Sequence, residues 1–192
     1  IKAEQALSCV NARLCFATAE GHVGEPLNAQ LCLQSLTQPD SAPIRLTEVK
    51  IVFEGSLRSI RLLSDVTESG TESTFHAQSV QVKWRELSMP TDASNLQSPT
   101  SGMSPHVGTT SLTMGVGQLK VYDLRLIPRE AGDVKVASIS LMVDEEAFSL
   151  AYVLSQQENG EVSWWESRNG EIVSRRIGRN RDATSIKILP KP

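Results

Sequence analysis

Apolar and polar residues alternate along much of this 192-residue chain, and this period of two constrains the fold more than any other feature. Successive side chains of a β-strand point to opposite faces of the sheet, so alternation indicates strands that bury one face and expose the other. The clearest segments are 29–34, 49–54, 80–85, 119–126 and 134–143. Helices are the alternative for residues 3–14 and 144–157. The chain is therefore predicted to be built mainly from strands.

Two Asn-Gly dipeptides, at 159–160 and 169–170, predict hairpin turns in the C-terminal part of the chain. Both residue types readily adopt the positive φ angles of a type I′ turn. A last strand is predicted at 185–189. Within the segment 134–143, the parity of the apolar positions changes at Ala137 and Ser138, which predicts a β-bulge there.

A stretch of 24 residues, 88–111, interrupts the alternation, and 15 of these residues are Ser, Thr, Pro or Gly. Such a composition buries too little apolar surface to offset the entropy lost on ordering, which predicts a mobile insertion. The chain is interpreted as all-β, with an antiparallel β-sandwich of the immunoglobulin-like or arrestin-like type. One large sandwich over 1–192 is favoured, and two small sandwiches, 1–87 and 112–192, are the alternative.

The net charge indicates which partners suit this chain, and the cysteine content indicates its cellular compartment. The formal net charge of -3 gives no general attraction to nucleic acids, which bind to clustered Lys and Arg. The odd count of three cysteines without pairwise motifs, Cys9, Cys15 and Cys32, favours reduced thiols in a cytosolic protein. A disulfide between two of them is the alternative. No apolar run in the sequence approaches the roughly 20 residues of a membrane-spanning helix.

The sequence shows no recognisable catalytic or metal-binding motif. Its histidines, His22, His76 and His106, are far apart, and no His-x-x-x-His, Cys-x-x-Cys or Gly-x-Ser-x-Gly pattern occurs. A nucleophile needs a nearby base, and a compact metal site needs ligands at fixed spacing. The chain is therefore predicted to be non-catalytic, without cofactor, metal or small-molecule substrate. For the acidic run 144–146, a solvated turn is favoured over part of a calcium site.

A pair of tryptophans and a group of arginines near the C-terminus are the candidate partner-binding residues. Because adjacent strand residues point to opposite faces, one of the two tryptophans is expected in the core and the other on the outer face. Protein interfaces are enriched in Trp and Arg. The candidates are Trp164, Trp165, Arg175, Arg176 and Arg179. For the arginines, the alternative is a solvent-facing hairpin arm, and for the tryptophans it is burial under another strand or loop.

Two serines of the Ser/Pro-rich stretch, Ser98 and Ser104, directly precede prolines. Proline-directed kinases modify serine in this context, so both are candidate phosphorylation sites. Each phosphate would add up to about two negative charges. Ser-Pro dipeptides also arise by chance in a stretch of this composition, and unmodified serines are the alternative.

Several segments of the chain carry a family resemblance. They are Gly24-Glu25-Pro26-Leu27 before an alternating strand, the run 42–58, the run 127–132, the Trp164-Trp165 pair and the closing 188–192. Together they resemble the β-sandwich region of the large eleventh subunit of the TRAPP vesicle-tethering complex, of the fungal type. The similarity spans most of the chain outside 88–111. Its motifs are mainly structural, and Gly-Glu-Pro-Leu before a strand also occurs in arrestin-like trafficking sandwiches.

The resemblance implies a role in assembly rather than in chemistry. It implies an accessory module of a complex that activates Rab GTPases by nucleotide exchange and tethers vesicles in endoplasmic-reticulum-to-Golgi traffic and in autophagy. The partners would be other subunits of that complex, and any contact with an anionic membrane surface would be indirect. The location would be cytoplasmic and peripheral to Golgi and endoplasmic-reticulum membranes. The alternatives are a peripheral membrane module and an arrestin-like module that binds cargo peptides.

Overall fold

A computed structural model describes residues 9–65, 77–85, 104–145, 148–154, 161–169, 171–179 and 184–192, and these residues form strands and connections without any helix. The protein is thus all-β over the described ranges. Their fifteen strands are β1 (Val10–Phe16), β2 (Glu20–His22), β3 (Leu27–Ser35), β4 (Ile44–Glu54), β5 (Ile60–Ser64), β6 (Ala77–Val80), β7 (Lys83–Trp84), β8 (His106–Thr110), β9 (Thr113–Met114), β10 (Leu119–Leu126), β11 (Gly132–Glu145), β12 (Phe148–Leu154), β13 (Glu161–Arg168), β14 (Glu171–Arg179) and β15 (Ser185–Leu189).

A four-stranded sheet has the order β1-β3-β10-β6. Its centre is β3, which pairs antiparallel with β1 on one side and with β10 on the other. On β3, Ala29, Leu31 and Leu33 are buried in the core, as the alternation predicts. The polar residues between them lie on the opposite face of this sheet. The hairpin of β13 and β14 contacts this opposite face through Gln30.

A nine-stranded sheet has the order β2-β15-β11-β4-β5-β8-β7, with β12 also paired to β11 and β9 to β4. Its longest pairing joins β11 and β4, and the register shifts between Val136 and Ser138. Ala137 is therefore an extra residue on β11, which confirms the predicted bulge. The bulge explains how Val134 and Ile139, five positions apart, both reach the core.

Strands of both sheets contribute to one hydrophobic core. Leu14, Leu31 and Leu124 belong to the four-stranded sheet, whereas Ile51 and Leu62 belong to the nine-stranded sheet, and each of them is at most 1% exposed. Two sheets that share a core in this way are consistent with a β-sandwich. The burial of aliphatic side chains between the sheets supplies the main driving force for the fold.

The sheets are mixed rather than wholly antiparallel. The pairs β10–β6, β5–β8 and β15–β2 are parallel. A parallel pair needs a long connection between its strands, and β6 and β10 have one because the chain passes through β7, β8 and β9 of the other sheet between them. The sequence prediction of an antiparallel sandwich is corrected at these three pairs, since alternation does not encode strand direction.

The segment predicted as a single strand at 80–85 is two strands in two sheets. β6 ends at Val80 in the four-stranded sheet, and β7 begins at Lys83 in the nine-stranded sheet. The backbone carbonyl of Gln81, between them, accepts a hydrogen bond of 2.8 Å from Thr110 Oγ1. Val80, Val82 and Trp84 still pack against the core. The side-chain prediction is therefore correct, whereas the backbone changes sheets.

The predicted mobile insertion at 88–111 is wrong for its last part. His106–Thr110 form β8, which pairs with β5 on one side and β7 on the other. The composition of the stretch misled because Thr and Val are good strand residues once neighbours supply hydrogen bonds on both edges. Residues 88–103 lie outside the described residues.

Both helical alternatives are settled in favour of strands over the described residues. Val10–Phe16 and Phe148–Leu154 are β1 and β12. The hairpin predicted at 169–170 is confirmed, because Arg168 pairs with Glu171 and Asn169 has a φ angle of 52°. The dipeptide at 159–160 lies outside the described residues.

No disulfide joins Cys9, Cys15 and Cys32. Cys15 lies on β1 opposite Gln30, and Cys32 lies opposite Arg13 on the same pair of strands. Burial raises the pKa of both thiols to about 12, so neither is a thiolate near neutral pH. Reduced thiols in a cytosolic protein stay a prediction.

Candidate interaction surface

The hairpin of β13 and β14 is a two-stranded sheet of its own. Its register places Trp164 opposite Arg175, Trp165 opposite Ser174 and Glu166 opposite Val173. Directly opposed residues of an antiparallel pair share a face. Trp164 and Arg175, two of the predicted partner-binding residues, are therefore neighbours on one face of the hairpin.

The hairpin is joined to the four-stranded sheet through the side chain of Gln30. The backbone N–H of Trp165 donates to Gln30 Oε1 at 2.9 Å, and Gln30 Nε2 donates to the backbone carbonyl of Trp165 at 2.8 Å. The primary amide thus pairs with both polar groups of one residue, as a neighbouring strand would. It satisfies the edge of β13 at that position.

Gln30 is a buried polar residue on the face of β3 opposite to the core. It is only 1% exposed, and its Nε2 donates a further hydrogen bond of 2.7 Å to Asp123 Oδ1 on the adjacent strand β10. Gln30 and Asp123 are directly opposite in the register. Asp123 therefore fixes the orientation of the amide that holds the hairpin. A buried polar group needs such partners, because leaving it unpaired is costly.

The face of the hairpin that carries Trp164 and Arg175 has balanced rather than purely basic charge. Glu166 Oε1 lies 3.3 Å from Arg175 Nη2, and Glu166 Oε2 lies 3.4 Å from Arg168 Nη2. Both arginines are mostly exposed, at 62% and 66% of their side chains. Exposed pairs of this kind add little stability. They place the guanidinium of Arg175 close to Glu166, on the face of the hairpin that carries Trp164.

Neither tryptophan belongs to the hydrophobic core. Trp164 and Trp165 are both half-buried, and neither is among the core residues. The expectation that one of them enters the core is wrong, because the hairpin is not a strand of either core-forming sheet. Val173 lies opposite Glu166, and its apolar side chain is 37% exposed.

The other two predicted arginines are placed by the register of β14. Arg176 lies opposite Ser163, and Arg179 lies opposite Glu161. A register shift separates these two positions. The predicted arginines therefore share one strand, but only Arg175 is directly opposite a tryptophan.

Sequence reasoning missed three residues that organise this surface: Gln30, Asp123 and Glu166. Gln30 and Asp123 look like ordinary polar residues of alternating strands. They are 93 positions apart, so no local pattern predicts that they contact each other. Glu166 lies next to the tryptophans in the sequence, and its alternation with Trp164 could have assigned it to the same face.

A second group of polar and aromatic residues lies where β8 begins. Arg58 Nε donates to the backbone carbonyl of Ser104 at 2.8 Å, and Arg58 Nη2 donates to Ser104 Oγ at 3.2 Å. His106 stacks on Trp84 with ring centroids 4.2 Å apart. Burial, followed by the charge of Arg58, lowers the pKa of His106. Ser98, the other predicted phosphorylation site, lies outside the described residues.

Within the described ranges, no group of three or more His, Cys, Asp or Glu side chains is arranged to hold a metal ion. No helix in this part of the chain combines the length and the apolar character needed to cross a membrane.

Comparison with known proteins returned no relative. No protein-family model, no curated protein and no solved structure matches this chain.

Proposed function

We propose that this chain is a non-catalytic protein-interaction module of a vesicle-tethering, Rab-activating complex, and that the β13–β14 hairpin is its partner-contacting surface. The module acts in endoplasmic-reticulum-to-Golgi traffic and autophagy, on the cytoplasmic side of Golgi and endoplasmic-reticulum membranes. Its partners are other subunits of that complex. The complex itself is proposed from the sequence resemblance, and the surface from the geometry of the hairpin.

One observation carries the proposed surface: the hairpin is attached through backbone atoms of Trp165 and the side chain of Gln30. This attachment does not use the side chain of Trp164. The side chain of Trp164 is half-exposed and shares a face of the hairpin with Arg175. A large aromatic ring and a guanidinium that lie together are the residue types that dominate binding energy at protein interfaces.

The surface is also organised before a partner arrives. Glu166 pairs with Arg175 across the hairpin, and the Gln30 amide positions the backbone of Trp165. A side chain that is already positioned loses less conformational entropy on binding. The balanced charge of the face suits a partner with both polar and apolar groups, rather than a strongly acidic one.

The finer fold assignment is proposed together with this role. We infer one sandwich of immunoglobulin-like or arrestin-like type, with the hairpin as an appendage on the outside of the four-stranded sheet. Pairings between β3 and β10 and between β4 and β11 support one unit, because each joins strands from opposite sides of residues 88–103. Both large sheets are built in this way.

Affinity purification with Trp164→Ala and Arg175→Glu tests the role. The unsubstituted chain is expected to recover subunits of a vesicle-tethering complex, identified by mass spectrometry, and each variant should recover at least about tenfold less. Ile127→Ala and Arg129→Glu are matched controls, because Ile127 is 58% exposed and Arg129 is exposed away from the hairpin. Equal recovery by all variants would remove the hairpin as the contact surface.

The same variants separate the alternatives. Vesicle flotation that depends on Arg175 and weakens with added salt would indicate a peripheral membrane module, because salt screens that attraction. Capture that resists Trp164→Ala but fails with proline substitutions on an exposed sheet edge would indicate strand addition by a cargo peptide. Recovery of no tethering subunit by the unsubstituted chain would contradict the assignment to that complex.

A further inference from the structure

The start of β8 brings a candidate phosphate acceptor next to a cation. Ser104 is exposed and precedes Pro105 and β8. Arg58 lies in the connection between β4 and β5 and donates one hydrogen bond to the backbone carbonyl of Ser104 and one to its hydroxyl. The serine and the guanidinium are thus in direct contact, although 46 positions separate them in the sequence.

The backbone on both sides of this contact is fixed by the fold. Leu57, before Arg58, is buried in the core. After it, the N–H of His106 donates to the carbonyl of Ser59 at 2.8 Å, and Ile60 pairs with His106 in the parallel β5–β8 pair. The contact between Arg58 and Ser104 is therefore set by sheet pairing as well as by the two side chains.

Next to the contact between Arg58 and Ser104, the side chains of His106 and Trp84 pack together. His106 stacks on Trp84, and a side chain on Gly108 would lie 3.0 Å from Trp84 Cε3 and 2.6 Å from Val82 Cγ1. The indole therefore lies close over Gly108, and it supports the imidazole in turn. Around Ser104 Oγ, the cation in contact is Arg58.

We propose that Ser104 is modified by a proline-directed serine kinase and that Arg58 then binds the phosphate, which clamps the start of β8 to the β4–β5 connection. In the reaction, the bond between the γ-phosphorus of ATP and its bridging oxygen breaks, and a bond forms between that phosphorus and Ser104 Oγ. ADP leaves, and the hydroxyl proton passes to a base of the kinase. The product carries about two negative charges and three strong acceptor oxygens.

The modification changes a contact between a cation and a neutral serine into a contact between a cation and an anion. Arg58 already donates through Nε and Nη2, and a guanidinium matches phosphate oxygens with two parallel hydrogen bonds. The clamp tightens the parallel β5–β8 pair at the point where it begins. It is separate from the hairpin surface and does not depend on which partner the hairpin binds.

The first test is modification of the folded chain with a purified proline-directed kinase and ATP, followed by phosphopeptide mapping. Phosphate is expected at Ser104 and should be absent in Ser104→Ala. If a peptide spanning residues 98–110 is phosphorylated at Ser104 while the folded chain is not, the proposed modification is overturned.

The second test places phosphoserine at position 104 genetically and follows its phosphate by ³¹P NMR. The second pKa of the phosphate, ordinarily about 6, should be lower by several tenths when Arg58 is present than in Arg58→Gln. Hydrogen exchange of the His106 amide should slow roughly two- to fivefold on phosphorylation, and Arg58→Gln should remove this protection.

Two variants control the second test. Arg58→Lys keeps the charge without the planar fork and should retain part of the phosphate pKa shift. Lys187→Gln should leave it unchanged, because Lys187 is exposed on β15 and three strands separate β15 from β8. Backbone NMR spectra establish that each variant is folded. If Arg58→Gln changes neither the phosphate pKa nor the protection of His106, Arg58 does not bind the phosphate.

Discussion

The two-sheet body and the β13–β14 hairpin are both made of strands, but different interactions hold them in place. The body is held by aliphatic side chains such as Ile51 and Leu31, which are 0% exposed. Among the hairpin residues whose burial is described, none belongs to that core. Gln30 donates one hydrogen bond to the hairpin and accepts another from it, and the hairpin carries ion pairs on its surface. The β14 strand also lies close to β6, and both tryptophans of the hairpin are half-buried.

Core truncation should show the largest difference between the two regions. Ile51→Ala should lower the free energy of unfolding by about 3–4 kcal/mol, because it removes buried methyl groups and leaves a cavity. Val173→Ala on the hairpin, at 37% exposure, should change it by less than about 0.5 kcal/mol. Urea unfolding measures both. Equal losses would mean that the hairpin contributes to the core after all.

A backbone substitution in the body should have the next largest effect. Gly55 follows β4 with a φ angle of 105°, and a Cβ there would lie 2.6 Å from the carbonyl oxygen of Asp133. Gly55→Ala should cost about 2–3 kcal/mol, since it adds this clash to a conformation that alanine disfavours. Gly24→Ala is the control, because Gly24 has a φ angle of 81° and no atom within 4 Å of the added Cβ. A smaller loss at Gly55 than at Gly24 would contradict the role of the clash.

The attachment of the hairpin is tested by Gln30→Met, which keeps the volume of the side chain and removes its hydrogen bonds. We expect a loss of about 1–3 kcal/mol, because the Asp123 carboxylate and the backbone of Trp165 lose their partner. Hydrogen exchange should rise at the Trp165 amide and remain slow at the core strands. Equal acceleration in both regions would show that the hairpin does not open separately from the body.

The smallest expected effect is a pH dependence that belongs to the body. Burial and Arg58 lower the pKa of His106, so the folded chain holds this imidazole in its neutral form. The resulting stability is complete above the unfolded value of about 6.5 and is lost as the pH falls through the lower folded value. Between pH 5 and 7.5, the free energy of unfolding should therefore depend less on pH in the His106→Gln variant than in the unsubstituted chain. An unchanged slope would assign the dependence to other groups.

The alternation of apolar and polar residues identified the core of the two-sheet body, because alternation depends only on residues that are close in the sequence. Leu31 and Ile51 are buried as their alternation indicates, and the parity change at Ala137 predicted the register shift of β11. These features depend on residues a few positions apart. The strand His106–Thr110 was missed because its stability comes from pairing with β5 and β7. Its own composition is typical of a loop.

The candidate surface was predictable only in part for the same reason. Asn169-Gly170 indicated the turn, whereas the partner-binding role of Trp164 and Arg175 stays a prediction. The attachment through Gln30 could not be predicted, because it joins residues 135 positions apart and uses a side chain that pairs with backbone. A glutamine on an alternating strand gives no local sign that it will be buried.

The step from β6 to β7 has a consequence for how the body comes apart. Only Gln81 and Val82 separate a strand of the four-stranded sheet from a strand of the nine-stranded sheet. A connection of two residues transmits force. When β6 detaches from the four-stranded sheet, it therefore pulls on β7, which is the edge strand of the nine-stranded sheet. Under a stretching force, the two layers should therefore rupture together in a single event.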